Sequence, residues 1–252
     1  LSPALSANNL QVKNLALTDS QHVAATLSWE HTWNLTDEQP PYNHDAVWLF
    51  LKFRSTDDHQ WQHARISAQS ADHRITESPN NKVRLEGVAD QMGLWVKRQQ
   101  RGSGPVPDTR IRIQLAEALP QGRYQFRAFG IEMVHVPTDS FYLGDGASNN
   151  TLEVASSGKP YLVTDDGPLA VDSSGNNLTS AGEFAPGADI PEGYPLGYEG
   201  FYAMKYEITQ AQYIDFLNTL TQAQQANRIA ADPAAEQGTL AFPNSRGNRN
   251  GI

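Results

Sequence analysis

The sequence predicts a mainly β protein with a minor α+β part: an N-terminal β-sandwich over residues 1–130, then a loop-rich α+β domain over residues 131–252, truncated at its C-terminal end. Three observations carry this expectation. About seven short β-forming runs recur before residue 130 with no helical period among them. Residues 147–200 are dominated by Gly, Ser, Asn, Asp and Pro, with only short apolar islands such as Tyr161-Leu162-Val163. The best helical stripe in the chain starts only after residue 208.

Taken in order, His22–Trp29 sets Val23, Ala25, Leu27 and Trp29 on one side of a strand. The polar, Pro-containing stretch Glu30–His44 reads as loop. In Asp45–Arg54 one face carries Val47, Leu49, Leu51 and Phe53, the other Ala46, Trp48, Phe50 and Lys52. Apolar residues on both faces mark a central strand covered on both sides. A turn at Ser55–His59 leads to a partner strand, Trp61–Ser67. Lys82–Glu86, Gly93–Arg98, Thr109–Leu115 and Gly122–Val136 follow, and Ile111, Ile113 and Leu115 alternate inward against Arg110, Arg112 and Gln114. Spacing of this kind fits an immunoglobulin-like sandwich.

Beyond residue 130, Ile131–Pro137 reads as a strand, Phe141–Gly146 ends in a turn, and Phe201–Ile208 reads as a strand. Thr209 with Gln212 forms a capping box, flanked by Ile208 and Tyr213 at the staple positions. Tyr213, Phe216, Leu217 and Leu220 then make an amphipathic stripe. Thr221 with Gln224 caps a short second helix, and Gly238–Ile252 reads as loop.

Composition narrows the function classes. The net charge of −9 argues against nucleic acid, since phosphate recognition needs a basic stripe. The densest basic run, Lys97-Arg98-Gln99-Gln100-Arg101, runs into Gly102-Ser103-Gly104-Pro105 and reads as a solvated hairpin, with Ser103 no nucleophile. Apolar runs fall well short of the ~20 residues a membrane helix needs, so no transmembrane segment is expected. With no cysteine, disulfides, thiolate metal sites and cysteine nucleophiles are excluded within the chain. Because the first residue is Leu1, a cleaved export signal is expected, and with it a secreted, cell-surface or periplasmic location.

No catalytic residue and no cofactor-binding residue is identified. Among the seven histidines, His59 and His63 stand four apart, but a strand separates such side chains by ~13 Å, so a histidine metal site is not expected. Asp57-Asp58 reads as turn chemistry. Asp145, Asp165, Asp166 and Asp172 lie in the loop-rich region, where carboxylates and carbonyls suit a structural Ca²⁺. All five tryptophans fall in or beside sandwich strands, where packing is the expected role. Trp33 and Trp61 remain the candidates for stacking on a glycan.

The run from Phe201 to Asn218, with Met204, Tyr206-Glu207-Ile208-Thr209 and Tyr213-Ile214-Asp215-Phe216-Leu217-Asn218, resembles the strand-to-helix signature of the formylglycine-generating enzyme (sulfatase-modifying factor) family. Met133–Pro137 and Phe141-Tyr142-Leu143-Gly144 are similar to the opening of that family's domain. Trp29, Trp33, Asn43, Asp45–Lys52 and Trp61–Ala64 resemble the sandwich that precedes such domains in large exported bacterial proteins. The resemblance implies a fold similar to that of C-type lectins. It implies one of three activities: copper-dependent oxidation through a cysteine pair, iron-dependent sulfur transfer through histidines, or non-catalytic binding. The family's cysteines belong to a half of the domain that this chain does not reach. The expectation is therefore an exported, non-catalytic recognition or assembly module with a protein partner or self-assembly. The alternative is the N-terminal portion of a sulfur-oxidising enzyme whose catalytic residues lie beyond residue 252.

Overall fold

The computed structural model describes residues 7–36, 42–58, 60–79, 82–182, 188–236 and 238–242. The chain divides into two compact units, residues 1–134 with 204–252, and residues 135–203.

The first unit is built on a two-layer β-sandwich. Its strands in chain order are β1 (Gln11–Asp19), β2 (His22–Asn34), β3 (Asp45–Ser55), β4 (Gln62–Ala64), β5 (Arg74–Glu77), β6 (Val83–Gly87), β7 (Leu94–Arg98), β8 (Gly102–Gln114) and β9 (Tyr124–Val136). One sheet has the order β1-β2-β8-β5. The other runs β9-β3-β7-β6, with β4 added on β3. Every pairing is antiparallel. The alternation read from the sequence places the core: Val23, Ala25, Leu27 and Trp29 of β2, Val47, Leu49 and Leu51 of β3, and Ile111 and Ile113 of β8 are all buried between the sheets. Full burial of each large aliphatic side chain contributes about 1.5–3 kcal/mol, so this inter-sheet layer dominates the fold's stability.

Four sequence expectations change here. Glu30–Asn34 continues β2 instead of starting a loop, because it pairs with the Gly-Ser-Gly stretch: Thr32, Trp33 and Asn34 lie opposite Gly104, Ser103 and Gly102. The expected hairpin at residues 102–105 is thus strand, with Gly102 and Gly104 at φ +121° and +119°, a region that only glycine enters freely. The strands β1 and β5 add to those expected. In β1 the positive φ of Asn14 and a bulge break the alternation that would have revealed it. The expected domain division at residue 130 falls inside β9, which runs unbroken to Val136.

In the second unit regular structure is sparse. β10 (Phe141–Leu143) pairs with β12 (Tyr161–Val163), and β11 (Leu152–Val154) with β13 (Leu178–Ser180), as antiparallel three-residue strands. Val163, Leu169 and Leu178 are its buried aliphatic residues. Gly144, at φ +91°, ends β10 where a Cβ would stand 1.8 Å from the carbonyl oxygen of Leu152, so only glycine fits.

β14 (Phe201–Met204) joins the edge of the second sheet beside β9. The chain continues into α1 (Gln210–Leu217) and α2 (Gln222–Ala226). Both capping boxes form: the Thr209 and Thr221 hydroxyls accept from the backbone N–H of Gln212 and Gln224, whose side chains accept in return. Phe216 of α1 meets the outer face of the second sheet edge-on, with ring centroids 6.5 Å from Phe50 and 6.2 Å from Phe129. Of the tail expected to be loop, residues 243–252 lie outside the described residues.

Candidate functional site

Two features of the first unit stand out: a groove and a buried charged cluster. The groove, of about 770 Å³, follows the outer edge of β9. One wall is Leu10, Val12 and Leu15; the other is the chain from Met204 through α1, including Ile208, Tyr213 and Phe216. Gly130 makes room for it, since a Cβ there would stand 3.0 Å from Leu10 and 3.2 Å from Val12. β14 covers four residues against the 13 of β9. Among the described residues, most of that edge therefore has no neighbouring strand. Met204, Tyr206 and Ile208 are largely apolar yet exposed along the same wall, Met204 by 52%. At the mouth Arg127 stands 3.9 Å from Asp215, and the guanidinium groups of Arg54 and Arg127 lie over the Trp61 ring, at 4.8 and 5.2 Å.

The charged cluster lies at one end of the inter-sheet layer. Lys205 Nζ is 3.0 Å from Asp45 Oδ2, 3.6 Å from Glu132 Oε2, and donates to the carbonyl oxygen of His31 at 2.7 Å. Their positions follow from strand register. Asp45 and Glu132 are diagonal neighbours on one face of the β3–β9 pair, because Asp45 opposes Val134 and Val47 opposes Glu132. Lys205 enters beside them as its backbone N–H donates to the Glu132 carbonyl at 2.8 Å. Asp45 Oδ1 accepts from the Thr32 hydroxyl at 2.5 Å and the Trp33 backbone N–H at 3.0 Å. Glu132 accepts from the Asn8 amide, which also donates to the His31 carbonyl at 2.9 Å. Side-chain exposure is 9% for Lys205, 2% for Asp45 and 7% for Glu132. Burial raises the Glu132 carboxyl above the usual range, and the neighbouring Asp45 adds to the rise, while Asn8 and Lys205 oppose it. The Trp33 ring lies 4.6 Å from the Lys205 ammonium and the Tyr206 ring 5.6 Å.

Apart from Trp33 and Trp61, the residues singled out in the sequence lie away from these two features. Asp145 accepts from the backbone of Ala147 and Ser148 and from the Ser148 hydroxyl, which holds its carboxyl far below the usual range. Asp165 caps a turn at Gly167. Asp172 accepts from Ser174 and Asn177, and these bonds lower its carboxyl. Asp166 lies beside Asp165 in the same turn region. Among the described residues no group of three or more His, Cys, Asp or Glu converges as metal ligands would. His59 lies outside the described residues; His63 Nε2 donates to the Met92 carbonyl at 2.8 Å. Trp33 Nε1 donates to Asn43 at 2.9 Å, Trp48 packs on Trp95 with centroids 4.8 Å apart, and Trp29 is core. Ser103 is a strand residue of β8. Among the described residues no helix is long and apolar enough to cross a membrane.

Sequence reasoning misses the buried triad. A faint signal is present: Glu132 is a charge inside an otherwise apolar run, and Asp45 and Lys205 stand at the ends of two others. Nothing in the spacing links residues so far apart. In comparisons with known proteins, no family model, characterised protein or solved structure matches the chain.

Proposed function

We propose that the chain is an exported, non-catalytic recognition or assembly module whose sandwich takes up an extended segment of a protein partner along the open edge of β9. One observation carries this reading. The outer edge of β9, which the four residues of β14 cover only in part, lies beside an apolar groove whose exposed wall includes Met204 and Ile208. An added strand would take hydrogen bonds from the edge and place alternate side chains in the groove. The resemblance of residues 201–218 to the formylglycine-generating enzyme family supports a binding member of that family, and with it a C-type-lectin-like fold for the chain after residue 130. On this reading a secreted or cell-surface location follows, and the loop-rich second unit offers further contact surface.

The test is peptide-library selection on the purified chain, with counter-selection on Met204→Asp/Ile208→Asp. Both positions are exposed, so the fold tolerates the change. The reading expects enriched peptides of alternating apolar character that bind the native chain and lose at least tenfold in affinity on the variant. Enrichment of no sequence, or equal binding to both, overturns it.

A further inference from the structure

We propose that Lys205 and Asp45 become joined by an amide bond formed within the folded chain, with Glu132 carrying the proton between them. The geometry is that of a poised condensation. Nζ stands 3.0 Å from Oδ2, which holds the amine against the carboxyl whose Cγ it would attack. The two oxygens of Asp45 have different surroundings. Oδ1 is held by the Thr32 hydroxyl at 2.5 Å and the Trp33 N–H at 3.0 Å, two donors aimed where negative charge develops as the carbon becomes tetrahedral. Oδ2 faces Lys205 and is the oxygen free to leave.

The surroundings favour the reaction over a lasting ion pair. All three side chains are at least nine-tenths buried, with the Trp33 and Tyr206 rings against the amine. A dry site penalises both charges of the pair and so favours an outcome that removes them. In a simple ion pair the second buried carboxyl repels Asp45 even as it attracts Lys205. Condensation uses that carboxyl: Glu132 lies 3.6 Å from Nζ, and its burial favours the acid form.

The step balances without any outside reagent. A proton passes from the Lys205 ammonium to the Asp45 carboxylate, leaving amine and acid. The nitrogen lone pair attacks Cγ and the N–C bond forms. Glu132 accepts a proton from the nitrogen and delivers one to Oδ2, and the Cγ–Oδ2 bond breaks to release water. Glu132 ends as it began, and nothing is oxidised or reduced. Positioned groups reach effective molarities of ~10⁵–10⁸ M, which offsets the preference of free amides for hydrolysis in water.

The test is the intact mass of the purified chain under denaturing conditions, followed by tandem mass spectrometry of its digest. The chain should weigh less than its sequence by one water, about 18 Da, and a branched peptide should link Asp45 to Lys205. The peptide matters because Asp145-Gly146 and Asp166-Gly167 can also lose water, by ring closure. Glu132→Gln should regain the full mass and lose the branched peptide. A native chain at full sequence mass, or one lighter by a water but without the 45–205 branched peptide, overturns the proposal. Both of those outcomes are read on the native chain alone, so they decide the matter even if the variant fails to fold. A branched peptide persisting in Glu132→Gln overturns the role given to Glu132.

Discussion

Lys205 and Asp45, 160 residues apart in sequence, meet at 3.0 Å inside the sandwich end. Through this contact the segment leading into α1 is tied to the first residue of the central strand, and the wall of the groove is fixed against the sheet.

Removing the Lys205 side chain should therefore be costly. Lys205→Met leaves Asp45 and Glu132 buried without it, and losing one partner of such a cluster costs about 3–5 kcal/mol. Urea denaturation of the variant should show this loss. Asp45→Asn combined with Lys205→Met should recover part of it, since the stranded charge is then gone too.

His73 makes stability depend on pH. Its Nδ1 accepts from the backbone N–H of Gln114 at 3.2 Å and its Nε2 donates to the Ser67 carbonyl at 3.0 Å, so the ring is held neutral. Burial lowers its pKa, though the Ser67 bond and Asp72 oppose the shift. In the window below the ordinary histidine value of ~6.5 the unfolded chain takes up a proton that the folded chain refuses, so stability falls as pH drops. His63, lowered mainly by burial, adds to the same slope. Denaturation from about pH 7.5 to pH 5 should show the decline, and His73→Asn should make it shallower.

Gly144→Ala tests the second unit. Its φ of +91° and the Leu152 carbonyl in the path of a Cβ combine strain with overlap, for a cost of about 2–4 kcal/mol. Limited proteolysis should cut the variant first between residues 141 and 163.

The cap of α1 is separable from the sandwich. Thr209→Ala removes the hydroxyl that accepts from Gln212 and should cost about 1 kcal/mol. Amide exchange should quicken across residues 210–217 while β3 keeps its protection.

The sandwich is legible in the sequence because its core strands bury one face: Val23 to Trp29 and Ile111 to Leu115 carry period-two patterns that map directly onto the buried layer. The two capping boxes are legible because they are local, their paired residues three apart in sequence. β1 is not, since its bulge breaks the alternation at Asn14. The strand at Gly102–Pro107 is hidden because Gly and Pro signal turns, while its pairing with Thr32–Asn34 is a long-range fact. Of the acidic residues of the second unit, Asp145, Asp165 and Asp172 accept hydrogen bonds within their own turns, a local role their turn-forming neighbours already signal. The Lys205 cluster brings together β3, β9 and the residue just after β14, segments distant in sequence, and composition around each charge gives no hint of its partners.

The central claim is that β9 offers its edge to an extended partner segment. The most direct measurement is a backbone NMR titration of the chain with a peptide enriched in the selection. The account predicts shifts confined to Tyr124–Glu132 and Met204–Phe216, with the β9 edge amides gaining protection from exchange. Shifts centred on the second unit, with the β9 amides unchanged, would contradict it.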